Sequence, residues 1–127
     1  MIAQGTFKSV AADSTDRGEN LLLYEMRTYT LQVGKMAEVT KLYQDIGMPL
    51  LVKRGWDQQL IGFFQADTGT INQLVFMLRF EDDADRRRFW SVVYADPEFI
   101  DFAAKGRPLI ITQEVKLLLP APWGPHP

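Results

Sequence analysis

The order of apolar patterns along the chain is the feature that most constrains how it can fold. Residues 21–31 are rich in aromatic and β-favouring side chains and predict a strand, and an amphipathic helical segment begins at Gly34. Two more strand-like stretches, 57–66 and 71–81, flank turn-forming residues and predict a hairpin, and a second helical region leads to a last strand at 109–119. This order is that of the split βαβ arrangement. The sequence therefore predicts an α+β, ferredoxin-like βαββαβ fold, in which an antiparallel sheet carries helices on one face.

Residues with special backbone or capping chemistry mark the helices. Pro49 removes an intrahelical hydrogen bond and predicts a kink or a two-part first helix. Acidic residues from Asp82 onward suit the start of the second helix, on which the arginines at 86–88 are expected to point outward. Asp96 followed by Pro97 predicts a short further helix with the aspartate as its N-cap.

A chain of 127 residues has the length of one domain. Residues 1–20 show no sustained period and predict a flexible N-terminal arm. The folded domain is expected over 21–119. Proline is frequent in the tail at 120–127, and this tail is therefore not expected to join the sheet.

Composition excludes several classes of function. With 14 Lys and Arg against 16 Asp and Glu, the net charge of −2 offers no basic surface for nucleic acid or an anionic membrane. The chain has no cysteine and one histidine, His126, which argues against disulfides, multi-histidine metal sites and a Ser-His-Asp triad. No apolar run approaches the roughly 18 residues of a membrane span. We expect a cytoplasmic protein that uses neither a metal nor a cofactor.

Alternation along the strands divides the sheet into two faces. The face under the helices is expected to hold even-numbered residues of the first and third strands: Leu22, Tyr24, Met26, Thr28, Thr30, Leu74, Phe76, Leu78 and Phe80. The second face then holds a mixed set: Glu25, Arg27, Tyr29, Ile61, Phe63, Val75, Met77 and Arg79. Because its apolar members would form an exposed patch, we expect an identical subunit to cover it, giving a homodimer through sheet faces.

A polar cluster on this second face is the first candidate site. Glu25, Arg27 and Tyr29 lie at i, i+2 and i+4 of one strand. Three charged residues of neighbouring strands are expected beside them: Arg79, Glu114 and Lys116. A guanidinium beside a phenol and carboxylates can hold an anionic or carbonyl group. The alternative is an ion-pair and hydrogen-bond network that satisfies polar groups inside the dimer.

The space between the sheet and the helices is the second candidate site for a small-molecule ligand. Its expected lining is rich in aromatic side chains: Tyr24, Met26, Tyr43, Phe64, Phe76, Phe89 and Trp90. Such a lining suits a flat apolar ligand, and side chains of this kind also form ordinary cores.

Several short motifs follow one another along the chain. The run 23–31, LYEMRTYTL, followed by Val33-Gly34-Lys35-Met36, resembles the opening motif of the NIPSNAP family. Further landmarks follow in order: Gly47-Met48-Pro49-Leu50, Leu60-Ile61-Gly62, Thr68-Gly69, Asn72-Gln73, Asp96-Pro97, Arg107-Pro108 and Leu119-Pro120-Ala121-Pro122. The resemblance covers residue 22 to the end of the sequence and implies a dimeric α+β barrel. Cofactor-free monooxygenases, isomerases and haem-dependent enzymes share that architecture and the family has no settled activity, so the resemblance bears on fold more than on function.

Three functions stay open from the sequence. The first is a homodimeric protein that binds a small molecule or has a regulatory role. The second is a cofactor-independent monooxygenase or isomerase acting on a small aromatic or carbonyl substrate, in which Arg27, Tyr29 or Tyr24 would orient the substrate and stabilise an enolate-like charge. The third is a scaffold whose outer helices recruit other proteins.

Overall fold

The computed structural model describes residues 22–127, and the arm predicted at 1–20 lies outside the described residues. The strands and helices of this part follow in the order β1 (Leu23–Leu31), α1 (Met36–Leu42), α2 (Met48–Arg54), β2 (Leu60–Gln65), β3 (Gln73–Phe80), α3 (Asp83–Ala95), α4 (Pro97–Gly106) and β4 (Ile110–Leu118). Short 3₁₀ turns, Trp56–Gln59 and Arg107–Leu109, lead into β2 and β4.

The strands form one antiparallel sheet in the order β2-β3-β1-β4. The predicted hairpin of β2 and β3 is confirmed, and so is the ferredoxin-like α+β fold. Strand β2 starts three residues later than predicted, at Leu60, because Gly55 ends α2 with a left-handed φ of 77° and the first 3₁₀ turn follows it. Glycine adopts this backbone conformation without the steric cost that other residues meet.

The predicted helices are confirmed, and a π-helical turn interrupts the first of them. A π-helical turn, Tyr43–Gly47, joins α1 to α2 without a break in the chain of helical residues. Pro49 lies in the first turn of α2, directly after the π turn, where its missing N–H removes one hydrogen bond from the continuous helical segment. The side chain of Asp82 accepts a hydrogen bond from the Asp85 amide at 2.8 Å and so caps α3.

The phase of β1 is the opposite of the one predicted. In the register of β1 with β3, Arg27 lies opposite Phe76 and Tyr29 opposite Leu74. The odd-numbered residues of β1 therefore share the helix-covered face with the even-numbered residues of β3. The main core cluster contains Tyr29, Leu74 and Phe76 together.

The open face of the sheet carries the other residues of β1 and β3. Val75, Met77 and Arg79 lie there as predicted, and Tyr24 and Met26 lie there although they were expected under the helices. Alternation along a strand shows which residues share a face, but the register with the neighbouring strand decides which face that is.

Strand β2 also differs from the prediction. A bulge between Leu60 and Gly62 shifts its register, so that Phe63 rather than Phe64 faces the helices and stacks on Phe76 with ring centroids 4.5 Å apart. Phe64 lies on the open face, folded over Gly62 and 59% exposed.

The proline-rich tail returns across one end of the open face. The Tyr24 hydroxyl lies 3.0 Å from Nδ1 of His126 and donates to the main-chain oxygen of Pro127. Tyr24 is only 3% exposed, and Trp123 of the same tail is 76% exposed. The tail therefore stays out of the sheet, as predicted, but packs on it through its last residues.

Candidate functional site

A fully buried carboxylate lies at the centre of the polar cluster. Glu25, with 0% exposure, accepts hydrogen bonds from Arg27 Nε, from Arg86 Nη1 at 3.2 Å and from the Trp90 indole at 3.0 Å. Strand β1 supplies Glu25 and Arg27, and α3 supplies Arg86 and Trp90 across the layer. Two guanidinium groups on one carboxylate satisfy a charge that would be costly to bury alone. The ion-pair network of the alternative prediction is present in this form within a single chain.

Arg27 connects this carboxylate to two phenols. Its Nη1 donates to the hydroxyl of Tyr29 at 3.1 Å and to that of Tyr94 at 3.3 Å, and its guanidinium lies 4.0 Å from the centre of the Trp90 ring. Burial lowers the pKa of Arg27, but the neighbouring Tyr29 and the hydrogen bonds to Glu25 and Tyr29 outweigh it and raise this pKa above its ordinary value. Arg27 is therefore a fixed cation on the inner face of the sheet.

Three residues predicted for this cluster lie elsewhere. Arg79, Glu114 and Lys116 are on the open face, opposite Tyr24, Thr28 and Met26 of β1 in turn. The prediction was wrong because it placed the correct residues of β1 on the wrong side of the sheet. The polar cluster and the three charged residues are separated by the thickness of the sheet.

Sequence reasoning missed two residues of the cluster, Arg86 and Tyr94. Arg86 was expected to point outward, but its guanidinium turns in to Glu25 and also pairs with Asp83 at 3.0 Å. Tyr94 follows Trp90 by four residues and therefore lies on the same side of α3, where their rings stack at 5.2 Å. That i, i+4 spacing was a usable signal for Tyr94.

A cavity of about 80 Å³ lies between the inner face of the sheet and the helices. Tyr29, Tyr43 and Tyr94 line it, with Gln113 of β4 and Arg107 at its polar side. Burial raises the pKa of Tyr29 although Arg27 opposes the shift, and burial also raises the pKa of Tyr43. Both buried phenols therefore keep their protons at neutral pH.

A second cavity, of about 60 Å³, lies deeper in the aromatic core. Phe76, Phe89 and Trp90, which were predicted for the ligand space, line it together with Tyr43. The other members of that prediction, Tyr24, Met26 and Phe64, lie on the open face. Four of the seven predicted lining residues are thus brought together, and the phase of β1 and the bulge in β2 displace the rest.

The arrangement is suited to binding an oxygen atom. Each of the two phenols accepts a hydrogen bond from Arg27, and within residues 22–127 neither has an acceptor for its own proton. A phenol that accepts from a cation becomes a better donor, because hydrogen bonds in a chain polarise one another. A carbonyl, carboxylate or enolate oxygen is the group that such donors stabilise.

Within residues 22–127, neither a cluster of metal-ligating side chains nor a membrane-spanning helix is present. Three His, Cys, Asp or Glu side chains that could hold a metal ion do not come together there. Each helix of that part is too short or too polar to traverse a lipid bilayer.

The fold and the buried cluster define the class of protein: a ferredoxin-like α+β domain with an arginine–phenol cluster between sheet and helices. The sequence profile of the NIPSNAP family matches residues 24–125, and the chain belongs to that family. The resemblance seen in the sequence is thereby confirmed. No curated protein matches the chain significantly.

Solved structures agree with this assignment. A NIPSNAP family protein of unknown function from Agrobacterium tumefaciens is 31% identical with a TM-score of 0.76, over 84% of this chain and 94% of that one. An uncharacterized NIPSNAP-like domain protein from Burkholderia xenovorans is 30% identical with a TM-score of 0.77, over 84% and 91% of the two chains. SnoaB, a cofactor-independent oxygenase from Streptomyces nogalater, is 17% identical with a TM-score of 0.51, over 76% and 90%, and shares the fold.

Proposed function

We propose that this NIPSNAP protein is a homodimer that binds a small molecule through an oxygen acceptor, in the cavity between the sheet and the helices. The observation that carries the proposal is the contact of Arg27 Nη1 with two phenols, Tyr29 at 3.1 Å and Tyr94 at 3.3 Å, both of which line the cavity. The two phenol protons are the donors, and the guanidinium behind them strengthens both.

Binding of benzoate, measured by ligand-observed NMR, tests the site. Tyr94→Phe removes one donor at the partly exposed end of the cluster and should weaken binding about tenfold, since a hydrogen bond to a charged group is worth about 1.5–3 kcal/mol. Tyr43→Phe is the matched control, because Tyr43 lines the same cavity but has no hydrogen bond to Arg27 within residues 22–127. Equal effects of the two changes would contradict the proposed role of the arginine-bound phenols.

The open face supports the homodimer. Its centre is apolar, with Met26, Val75 and Met77 half-buried and Phe64 exposed. An apolar sheet face of this kind is usually covered by another layer. The sheet of a second copy would cover it by two-fold packing.

Light scattering after size exclusion tests the assembly. Met77→Glu places a charge at the centre of the open face and should convert a dimer into a monomer. Val92→Glu is the control, since Val92 is similarly apolar but lies exposed on α3. A dimer that withstands Met77→Glu would show that subunits meet through another surface.

A cofactor-independent oxygenase is the second candidate function. Arg27 and the two phenols could stabilise the oxygen anion that forms when a phenolic substrate loses its proton. The fold is also that of SnoaB. Oxygen uptake with monocyclic phenols, above the rate without protein and lost in Tyr94→Phe, would favour this function. Absence of both uptake and ligand binding would favour the scaffold function.

A further inference from the structure

Two cavities share a wall of aromatic side chains. The cavity of about 80 Å³ and the deeper one of about 60 Å³ are both lined by five residues: Tyr29, Tyr43, Tyr94, Phe99 and Phe102. An apolar protein cavity of about 150 Å³ is large enough to take one benzene molecule. Neither cavity alone reaches that volume, whereas the two together nearly do, so a six-membered ring fits only across the five side chains that border both.

We infer that the site takes a ligand with a single six-membered ring and an oxygen acceptor, and that Phe102 and Gly47 set this size limit. The inference rests on the proposed function, since it concerns the same site. It goes further by naming the size of the ligand and the residues that determine it.

The two cavities differ in a way that orients such a ligand. Gln113 and Arg107 line only the first cavity, and the deeper one is lined almost entirely by aromatic and aliphatic side chains. A ring that spans both cavities places its apolar edge in the deeper one, where contact replaces empty space. The ligand's oxygen then points to the phenols of Tyr29 and Tyr94, which border both cavities.

The Phe102 ring lies close against the backbone of a glycine, Gly47. A Cβ atom built on Gly47 would lie only 2.7 Å from Cζ of Phe102, and the Phe102 ring also packs edge-on against Tyr43 at 5.1 Å. The absence of a side chain at position 47 thus leaves the space into which this ring withdraws. Any side chain there would push the ring toward the cavities.

The π-helical turn explains why both contacts come from one segment. Tyr43 and Gly47 are its first and last residues, and both touch the Phe102 ring. Single π turns inside α-helices occur frequently at functional sites. The turn therefore brings the Tyr43 phenol and the Gly47 backbone against the same Phe102 ring.

Ligand-observed NMR with four probes tests the size limit: benzoate, acetophenone, toluene and 2-naphthoate. The protein should bind benzoate and acetophenone, and should bind the two-ring 2-naphthoate and the oxygen-free toluene about tenfold more weakly. Phe102→Leu shortens the shared wall and should raise the affinity for 2-naphthoate about tenfold, with little change for benzoate. Phe64→Leu makes the same change on the open face and should leave the preference unaltered.

Gly47→Ala provides an opposite test. It should push the Phe102 ring inward and weaken benzoate binding about tenfold, with circular dichroism and thermal unfolding as checks on the fold. Equal binding of one-ring and two-ring probes by the unaltered protein, or no change of preference in Phe102→Leu, would overturn the size limit and leave the proposed function standing. If no probe binds to any of these proteins, the small-molecule site itself is refuted.

Discussion

At the scale of single residues, the cluster is organised around one carboxylate that forms ion pairs with two arginines. Glu25, which is fully buried, pairs with both Arg27 and Arg86. Asp83 also pairs with Arg86 at the surface. Arg27 pairs with no second carboxylate within residues 22–127. The positions of the two cavity phenols therefore depend on Glu25 through Arg27.

Removal of this carboxylate charge should destabilise the fold. Glu25→Gln keeps an acceptor for the Trp90 indole but leaves two guanidinium groups without their buried counter-charge, and we expect a loss of about 3 kcal/mol in the free energy of unfolding. Urea denaturation measures it. Asp101→Asn, which breaks an exposed pair with Lys105, is the control and should change little. An equally small change in Glu25→Gln would show that the cluster does not stabilise the folded chain.

Tyr29 should make stability depend on pH in the alkaline range. Burial raises its pKa above the ordinary value of 10.0, so above about pH 10 the folded state holds a proton that the unfolded state has lost. This contribution to the free energy of unfolding is complete below about pH 10 and is lost as the pH rises further. Tyr29→Phe should therefore flatten the decline in stability above about pH 10, measured by urea denaturation. An unchanged slope would show that the phenol titrates alike in both states.

At the scale of elements, α3 depends on a local cap as well as on its packing. This helix carries three residues of the cluster, Arg86, Trp90 and Tyr94. The side chain of Asp82 caps its N-terminus. Asp82→Ala should lower the free energy of unfolding by about 1 kcal/mol, because an amide in the first turn loses its acceptor. Asp82→Asn keeps an accepting oxygen and should retain most of the stability. Equal losses in both variants, measured by thermal unfolding, would assign the effect to charge rather than to the hydrogen bond.

At the scale of the whole molecule, the tail shields one end of the open face. Deletion of 120–127 should expose Tyr24, because His126 and Pro127 cover its hydroxyl. Nitration with tetranitromethane, followed by peptide mass spectrometry, should modify Tyr24 in the shortened chain but not in the full one. Tyr94 is 49% exposed and is the internal control, modified in both. Continued protection of Tyr24 after the deletion would mean that another surface, such as a partner subunit, covers it.

The sequence by itself determined the order of the elements and where several helices begin. Asp96 caps its helix as predicted, accepting from the amides of Glu98 and Phe99 at 2.9 and 3.1 Å, and α3 begins after Asp82, where its start was predicted. The interruption before Pro49 and the hairpin of β2 and β3 also followed from the sequence. These features depend on residues within a few positions of one another, and local patterns report such contacts.

Only the tertiary structure decided which face of the sheet each strand residue occupies. Alternation grouped Glu25, Arg27 and Tyr29 correctly, but a period of two has two phases, and pairing with β3 selected the phase that puts them under the helices. The tertiary structure also decided the bulge that turns Phe63 inward and the contact of His126 with Tyr24, which lies 102 positions earlier in the chain. Such contacts join distant segments, so no local pattern contains them.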